Sequence, residues 1–337
     1  GTEYIILIPN NEEFRPYAEN LANFRRKQGI MTEVYTLAEA GVNSSEELQS
    51  WIQYIYNNWE IPPVAICLFG DNGGDLNLEI PAMTIPHSLD GTCISDNPYA
   101  DVNQDYLPDI CLSRIVASNI EEAERLITKQ LDYEYNSPCM DEYYYNKPVA
   151  ACGWSMSAWF QFCSESVVGY LRTIGKDPVR INGIYDYYSP DTWSYADNSD
   201  FIYNYFGPDG LGYIPSTPDE AGGFDGGSGA KALEAMNNGA YIIQHRDHGW
   251  NTIWYQPSLD ISQLSMLNNT KHYPFMISVN CRTGAFNSSN DCLIEGFLRQ
   301  TTPSGESCGI VGAIAPSAQS YSYANDAYAW GVWDFFE

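Results

Sequence analysis

Short, almost wholly apolar runs recur along this chain, separated by stretches with a helical pattern. Examples are EYIILIP in residues 3–9, PVAICLFGD in 63–71 and AYIIQH in 240–245. Strands of this composition are buried on both faces, as in the middle of a parallel sheet. A helix between two such strands carries the chain back to start the next parallel strand. The alternation therefore predicts an α/β chain with mainly parallel sheets, covered by helices on both faces in three layers.

Capping signals mark where two of the helices begin. Ser44 with Glu47 forms a capping-box pattern ahead of residues 48–59, and Ser118 with Glu121 forms another ahead of the helix that runs to residue 135. In a capping box the first side chain accepts a hydrogen bond from a backbone N–H group of the first helical turn. Both patterns predict helices that pack against the strands.

The alternation of strands and helices restarts after residues 136–146, NSPCMDEYYYN. At 337 residues the chain is long for a single small core. We therefore predict two units, an N-terminal α/β unit over residues 1–143 and a second one over residues 144–337.

The composition excludes several classes of partner. Hydrophobic residues make up 44% of the chain and charged residues 18%, as in a globular protein. The net charge of −27 argues against binding to nucleic acid and to anionic membranes. No window reaches the roughly 20 apolar residues that a membrane span needs. An acidic surface of this kind is typical of secreted proteins.

The nine cysteines are an odd number, so at least one lies outside any intrachain disulfide. No CxxC pair is present, which argues against zinc ribbons and thioredoxin-like redox chemistry. Cys67, Cys111 and Cys152 lie in strand-like runs, and we expect them to be buried as small apolar side chains. The pattern leaves the redox compartment open.

Two predicted strands end in residues with catalytic chemistry. One run ends in His248-Gly249, and YPFMISVNC ends in Cys281. Chemistry in parallel sheets gathers at the carboxyl ends of the strands, and adjacent strands would place an imidazole beside a thiol. Histidine can then activate the cysteine as a thiolate nucleophile. The alternative is a buried structural histidine and an inert cysteine; we favour catalysis because both residues follow strands.

The chain resembles the gingipain-type cysteine peptidases, which belong to the caspase-like group. The resemblance covers most of the sequence, from the first strand and helix through ICLFGD to HGWNTIWY and FMISVNCRTGAF. It implies a caspase-like α/β/α fold with two subdomains side by side. It also implies a secreted or bacterial cell-surface endopeptidase that acts on polypeptides.

Carried over to this chain, the resemblance makes His248 the general base and acid and Cys281 the nucleophile. The backbone N–H groups of Gly249 and Cys281 would form the oxyanion hole. The glycine after the histidine would let a substrate carbonyl approach the backbone closely. His245, three residues before His248 in an extended run, should face away from the site as a structural residue.

The chain departs from the family where the family often carries acidic residues. The segment Cys152–Cys163 has no Asp or Glu that could orient the histidine or select Arg or Lys in a substrate. We therefore expect a Cys-His dyad and no strong preference for basic residues. Trp159, Phe160 and Trp250 would line an apolar substrate pocket; ordinary core packing is the alternative for the first two.

The sequence DVNQDYLPD offers one candidate metal site. Its oxygen-bearing side chains Asp101, Asn103, Asp105 and Asp109 follow the spacing of the first part of a calcium loop. The loop lacks the usual glycine and the closing glutamate, so on spacing alone a solvated acidic turn fits equally well. The resemblance to a calcium-stabilised family favours a structural Ca²⁺; no catalytic cofactor is expected.

Three functions remain open at this point. The first is a secreted cysteine endopeptidase that works through a thioester acyl-enzyme. The second is a sortase-like transpeptidase that processes surface proteins, in which an amine replaces the hydrolytic water. The third is a surface binding module that keeps the fold without the activity.

Overall fold

A computed structural model describes residues 1–72, 75–136, 141–184, 189–224, 226–288 and 290–333. The chain divides into two compact units, Gly1–Tyr135 with Phe286–Asn290, and Asn136–Ala285 with Asp291–Glu337. The division lies at the start of the predicted linker, not after residue 143. The reason is that Asp141 Oδ2 lies 2.9 Å from His272 Nε2, so the chain before residue 144 already packs with the second unit.

In its described residues, the first unit contains six strands and four helices. The strands are β1 (Tyr4–Ile8), β2 (Thr32–Thr36), β3 (Ala65–Phe69), β4 (Met83–His87), β5 (Gly91–Ser95) and β6 (Cys111–Ile115). The helices are α1 (Arg15–Lys27), α2 (Ser45–Asn58), α3 (Asn97–Ala100) and α4 (Ile120–Tyr135). Four strands form a parallel sheet in the order β2-β1-β3-β6, and β4 pairs with β5 as an antiparallel hairpin.

Helices cover this sheet because each has one apolar face. In α2 the buried residues Leu48, Ile52 and Ile55 recur at helical spacing. They pack with Ile5 and Leu7, which point to one side of β1 because side chains alternate along a strand. Helices α1 and α4, linked by an ion pair between Arg25 and Glu134, pack together on the other side.

The described part of the second unit contains eight strands and seven helices. The strands are β7 (Val149–Cys152), β8 (Val179–Asn182), β9 (Ile242–Arg246), β10 (Gly249–Trp250), β11 (Ile253–Trp254), β12 (Leu259–Asp260), β13 (Phe275–Val279) and β14 (Gly312–Ile314). The helices are α5 (Glu142–Asn146), α6 (Trp159–Thr173), α7 (Ser199–Phe206), α8 (Pro218–Ala221), α9 (Gly229–Asn238), α10 (Leu293–Arg299) and α11 (Ser322–Gly331).

Five of these strands form a parallel sheet in the order β14-β13-β9-β7-β8. On one face, residues of α9 and α10 pack with Ile243 and Met276. On the other, residues of α6 and α11 pack with Ile277 and Val279. The second unit is therefore a three-layer α/β/α arrangement, as the alternating pattern predicts.

Two local predictions are wrong. The cap of α4 is Asn119, whose side chain accepts from the Glu122 N–H group at 3.0 Å, because the Ser118 hydroxyl donates instead to Asp71 at 2.6 Å. Cys111 is exposed, whereas Cys67 and Cys152 are buried as predicted. None of the described cysteines forms a disulfide; Cys139 lies outside the described residues.

Candidate active site

The two strands that lead to His248 and Cys281 are neighbours. Strand β9 pairs with β13 in parallel, and the last pair of residues is Arg246 opposite Val279. The backbone N–H of Asp247 donates to the Val279 carbonyl at 3.4 Å and extends the pairing. His248 and Cys281 each follow two residues after this last pair, so both leave the sheet at its carboxyl edge. The predicted adjacency of the strands is confirmed.

Both residues also face the same helical layer. The His248 ring packs edge-on against Phe160 of α6, with ring centroids 5.0 Å apart. The Cys281 sulfur accepts a hydrogen bond from the backbone N–H of Ser320 at 3.5 Å, just before α11 begins. Helices α6 and α11 pack against each other. Both side chains are partly exposed, so a substrate can reach them.

The surroundings of His248 favour its neutral form. Burial lowers the pKa of the imidazole, and the positive charge of Arg246 lowers it further. A neutral imidazole has a lone pair that can accept a proton from a thiol. By contrast, burial raises the pKa of the Cys67, Cys152 and Cys163 thiols, which keeps them protonated and unreactive.

A buried ion pair lies behind His248. Arg246 Nη2 donates to Asp326 Oδ1 at 2.7 Å, and the two side chains are 1% and 0% exposed. The guanidinium lies 4.0 Å from the centroid of the Phe160 ring, and His248 packs against the same ring. This pair is absent from the sequence predictions. The arginine at the end of an apolar strand could have indicated it, because a buried charge requires a partner.

Trp159 and Phe160 have the packing role that was the alternative to a substrate pocket. Trp159 is 5% exposed and its indole N–H donates to Asp326 Oδ2 at 2.8 Å, while Phe160 is fully buried. Trp250 is 41% exposed, and the Arg282 guanidinium lies 4.4 Å from its ring centroid. Of the three aromatic residues, Trp250 alone offers surface to a substrate.

Gly249 packs closely against its neighbours in the protein. A Cβ atom at this position would lie 3.0 Å from both Asn280 Cγ and Thr283 Cγ2, which is tighter than most such contacts. The residue after the histidine therefore packs against the residue before the cysteine. The oxyanion hole of Gly249 and Cys281 stays a prediction.

Glu165 and Asp247 lie outside the Cys152–Cys163 segment, and both have partners within the protein. Glu165 accepts from Arg180 Nε at 2.7 Å. Asp247 is buried, accepts from the Gln256 N–H group at 2.6 Å and lies against Gly153. Both carboxylates are therefore already bonded inside the protein.

The candidate calcium loop is held by its own backbone. Asp101 accepts hydrogen bonds from the N–H groups of residues 105 and 106, Asp105 from that of residue 107, and Asp109 from those of residues 102 and 103. Within the described part of the chain, no group of three or more His, Cys, Asp or Glu side chains is placed to hold a metal. The three carboxylates are thus bonded to the backbone of the loop, and a structural Ca²⁺ at this loop stays a prediction.

Comparison with known proteins places the chain in a family. A model of peptidase family C25 matches residues 1–337. Lys-gingipain of Porphyromonas gingivalis is 24% identical over 339 aligned positions, which cover 98% of this chain and 16% of the relative. Gingipain R2 of the same organism is 21% identical over 313 positions, covering 92% of this chain and 36% of the relative. The chain thus spans well under half the length of these relatives.

Solved structures show the same fold. The crystal structure of the Arg-specific cysteine proteinase gingipain R has a TM-score of 0.74 at 17% identity, covering 99% of this chain and 68% of that one. The complex of the pro- and mature domains of Porphyromonas gingivalis RgpB has a TM-score of 0.74 at 18% identity, covering 97% and 66%. They confirm the predicted caspase-like α/β fold. Matched over its whole length, the chain belongs to peptidase family C25.

Proposed function

We propose that this chain is the catalytic part of a cysteine endopeptidase, with Cys281 as nucleophile and His248 as general base and acid. One observation carries the proposal. The two residues leave neighbouring parallel strands at equal positions, both partly exposed and both facing the layer of α6 and α11.

The proposed reaction is acyl transfer to the thiol. His248 removes the Cys281 proton, and the thiolate attacks the carbonyl carbon of a peptide. The N–H groups of Gly249 and Cys281 stabilise the negative oxygen. His248 then donates its proton to the leaving amine, and a thioester remains on Cys281. Water, deprotonated by His248, hydrolyses the thioester and releases the acid.

We further propose that the site does not select strongly for Arg or Lys. A pocket for a cation needs a carboxylate at its base, because an unpaired buried charge costs several kcal/mol. The two acids that could have entered the site, Glu165 and Asp247, have partners inside the protein. The exposed Trp250 favours an apolar or aromatic contact with the substrate instead.

Reaction of the thiols with iodoacetamide tests the main proposal. We expect Cys281 to be alkylated at pH 6.5 much faster than the exposed Cys111, which serves as an internal reference and is read by peptide mapping. His248→Ala should reduce the rate at Cys281 to that at Cys111. Equal rates in the unmodified protein would favour the binding module with the same fold.

The transpeptidase alternative differs only in the acceptor. Adding a peptide amine to a digestion of labelled casein would give ligated products if an amine replaces water in the second half-reaction. We expect hydrolysis products alone, since no feature of the described residues favours an amine over water.

We also propose a location and a metal ligand for this protein. The net charge of −27 fits a secreted or bacterial cell-surface location. Within the described residues, no helix is both long and apolar enough to span a bilayer. The loop from Asp101 to Asp109 would bind a structural Ca²⁺ if its carboxylates turned from the backbone to the ion; the kind of ligand supports this, the present arrangement does not.

A further inference from the structure

Asn280, the residue immediately before Cys281, is buried and fully hydrogen-bonded. It is 1% exposed. Its Nδ2 donates to His245 Nδ1 at 2.9 Å and to Ser278 Oγ at 2.7 Å, and its Oδ1 accepts from Thr283 Oγ1 at 2.6 Å. These contacts use both N–H groups and the oxygen of the amide. The hydrogen bonds of the Asn280 side chain therefore fix the backbone that carries Cys281.

His245 completes this arrangement from the neighbouring strand. Its ring is fully buried and stacks on Trp254, with centroids 4.0 Å apart and planes 3° from parallel. Burial lowers its pKa to about 3, so the ring is neutral and Nδ1 keeps the lone pair that Asn280 needs. The other nitrogen, Nε2, lies 3.0 Å from the Gln256 carbonyl and donates to it.

The same network reaches both residues that flank His248. The Gln256 N–H group donates to Asp247, which precedes His248, at 2.6 Å. Gly249, which follows His248, packs directly against the Asn280 amide. The Tyr255 N–H group donates to the His248 carbonyl at 3.1 Å. Hydrogen bonds and close packing thus connect the backbone of Cys281 with the loop that carries His248.

We propose that Asn280 and His245 are positioning residues, which together set the separation of His248 and Cys281 and the place of the Gly249 N–H group. This inference rests on the function proposed above and adds to it the residues that hold the reactive pair. The hydrogen-bonded side chains of Asn280 and His245 suit this task because both are neutral. They fix the geometry without placing a charge beside the thiolate. Misplacement of reacting groups by about 1 Å can cost a hundredfold in rate.

The test compares Asn280→Ala with Asn269→Ala, a matched control. Asn269 is also buried, at 2% exposure, and makes three hydrogen bonds, to the carbonyls of His272 and Gly309 and from the Gly309 N–H group. Asn269 lies before the first residue of β13, whereas Asn280 follows its last residue. With labelled casein we expect Asn280→Ala to lower kcat about a hundredfold with little change in KM. Asn269→Ala should keep kcat within about twofold of the unmodified protein.

The rate of alkylation of Cys281, measured as a function of pH, is a second readout. Structural damage alone does not change the shape of this pH profile. In Asn280→Ala, the pH profile of Cys281 should shift towards that of Cys111, while Asn269→Ala keeps the original profile. Asn280→Asp, which retains the volume and an acceptor oxygen but neither N–H donor, should behave like Asn280→Ala and serves if the alanine variant does not fold. Equal profiles and equal kcat in the Asn280 and Asn269 variants would overturn the positioning role.

Substitutions of His245 separate the hydrogen bond from the stacking. His245→Asn keeps an acceptor near the position of Nδ1, whereas His245→Phe keeps only the ring on Trp254. We expect kcat to be at least tenfold higher in the asparagine variant; the reverse order would contradict the proposal. If Cys281 of the unmodified protein reacts no faster than Cys111, the proposed function itself is wrong, and this inference is wrong with it.

Discussion

The carboxyl edges of the two parallel sheets both carry polar residues, but they differ in which of these residues are exposed. In the first unit Arg114, near the end of β6, donates to the carbonyls of Gly70, Asp71 and Ile80 and pairs with Asp96 at 2.7 Å. In the second unit the buried Asn280 and His245 bond to each other, and His248 and Cys281 stay partly exposed above them. Both edges collect polar residues, as parallel sheets do. A polar edge becomes a candidate site only where a nucleophile and a base face outwards.

The sharpest test of this contrast removes the nucleophile. Cys281→Ala should lower casein hydrolysis at least about a thousandfold, because the covalent intermediate can no longer form. The free energy of unfolding should change by less than about 1 kcal/mol, since the side chain is partly exposed. Cys111→Ala, at an exposed thiol of the first sheet, is the control that should keep full activity. Hydrolysis near the original rate would refute the assignment of Cys281.

Arg114→Met tests whether the edge of the first unit is structural. Removing one partner of a buried pair leaves Asp96 without its cation and three carbonyls without a donor, at a cost of about 3–5 kcal/mol. Urea unfolding measures this loss, and the alkylation rate of Cys281 in the folded protein should not change. Arg125→Met, which removes an exposed pair with Glu121, should cost less than about 1 kcal/mol. A slower reaction of Cys281 in Arg114→Met would give the first edge a role in activity.

The pH dependence of stability probes the buried network of the second unit. His245 has a pKa of about 3 in the folded protein and an ordinary value of 6.5 when unfolded, so the unfolded chain takes up the proton first as pH falls. Its contribution is constant above pH 6.5 and is lost between about pH 6.5 and 3. Between pH 6 and 4 the loss is about 2–3 kcal/mol. His245→Asn should show a shallower decline in urea unfolding over this range; an identical decline would mean that the histidine is not held neutral.

Chelation of calcium tests the loop from Asp101 to Asp109, which belongs to the first unit. If Ca²⁺ binds the loop, EGTA should lower the melting temperature by about 5 °C, the effect of losing a ligand present well above its dissociation constant. Asp105→Ala should abolish most of this response, and Asp209→Ala, at an exposed acid in the second unit, should not. A melting curve that EGTA leaves unchanged would identify the loop as a hydrogen-bonded acidic turn.

The smallest expected effect is the preference for basic substrates. In a peptide library, Arg or Lys before the cleaved bond should be favoured by much less than about a hundredfold, which is near the limit of one apolar contact. Trp250→Ala should change the ranking of apolar and aromatic residues at that position. A preference of a hundredfold or more for Arg or Lys would show that an acid enters the site from outside the Cys152–Cys163 segment.

The elements that the sequence predicts well are those whose pattern is local. Apolar runs with capped amphipathic helices between them predict the parallel sheets and the order of β9 and β13. The hairpin of β4 and β5 is absent from the prediction, because both strands are partly exposed and a proline lies within β4. The structural role of His245 follows from its spacing to His248, but its partner Asn280 does not, since that hydrogen bond joins residues 35 apart. Long-range polar contacts of this kind, including Arg246 with Asp326, depend on the packed fold.

Gly153, at the end of β7, has a consequence for how this sequence can diverge. A methyl group there would lie 2.2 Å from the Asp247 carboxylate, so the aspartate of one strand fills the space of the missing side chain on the next. The two positions are sterically exclusive. A relative with a larger residue at the position of Gly153 should carry a smaller one at that of Asp247. Among relatives as distant as 24% identity, these two sites are therefore expected to change together and not one at a time.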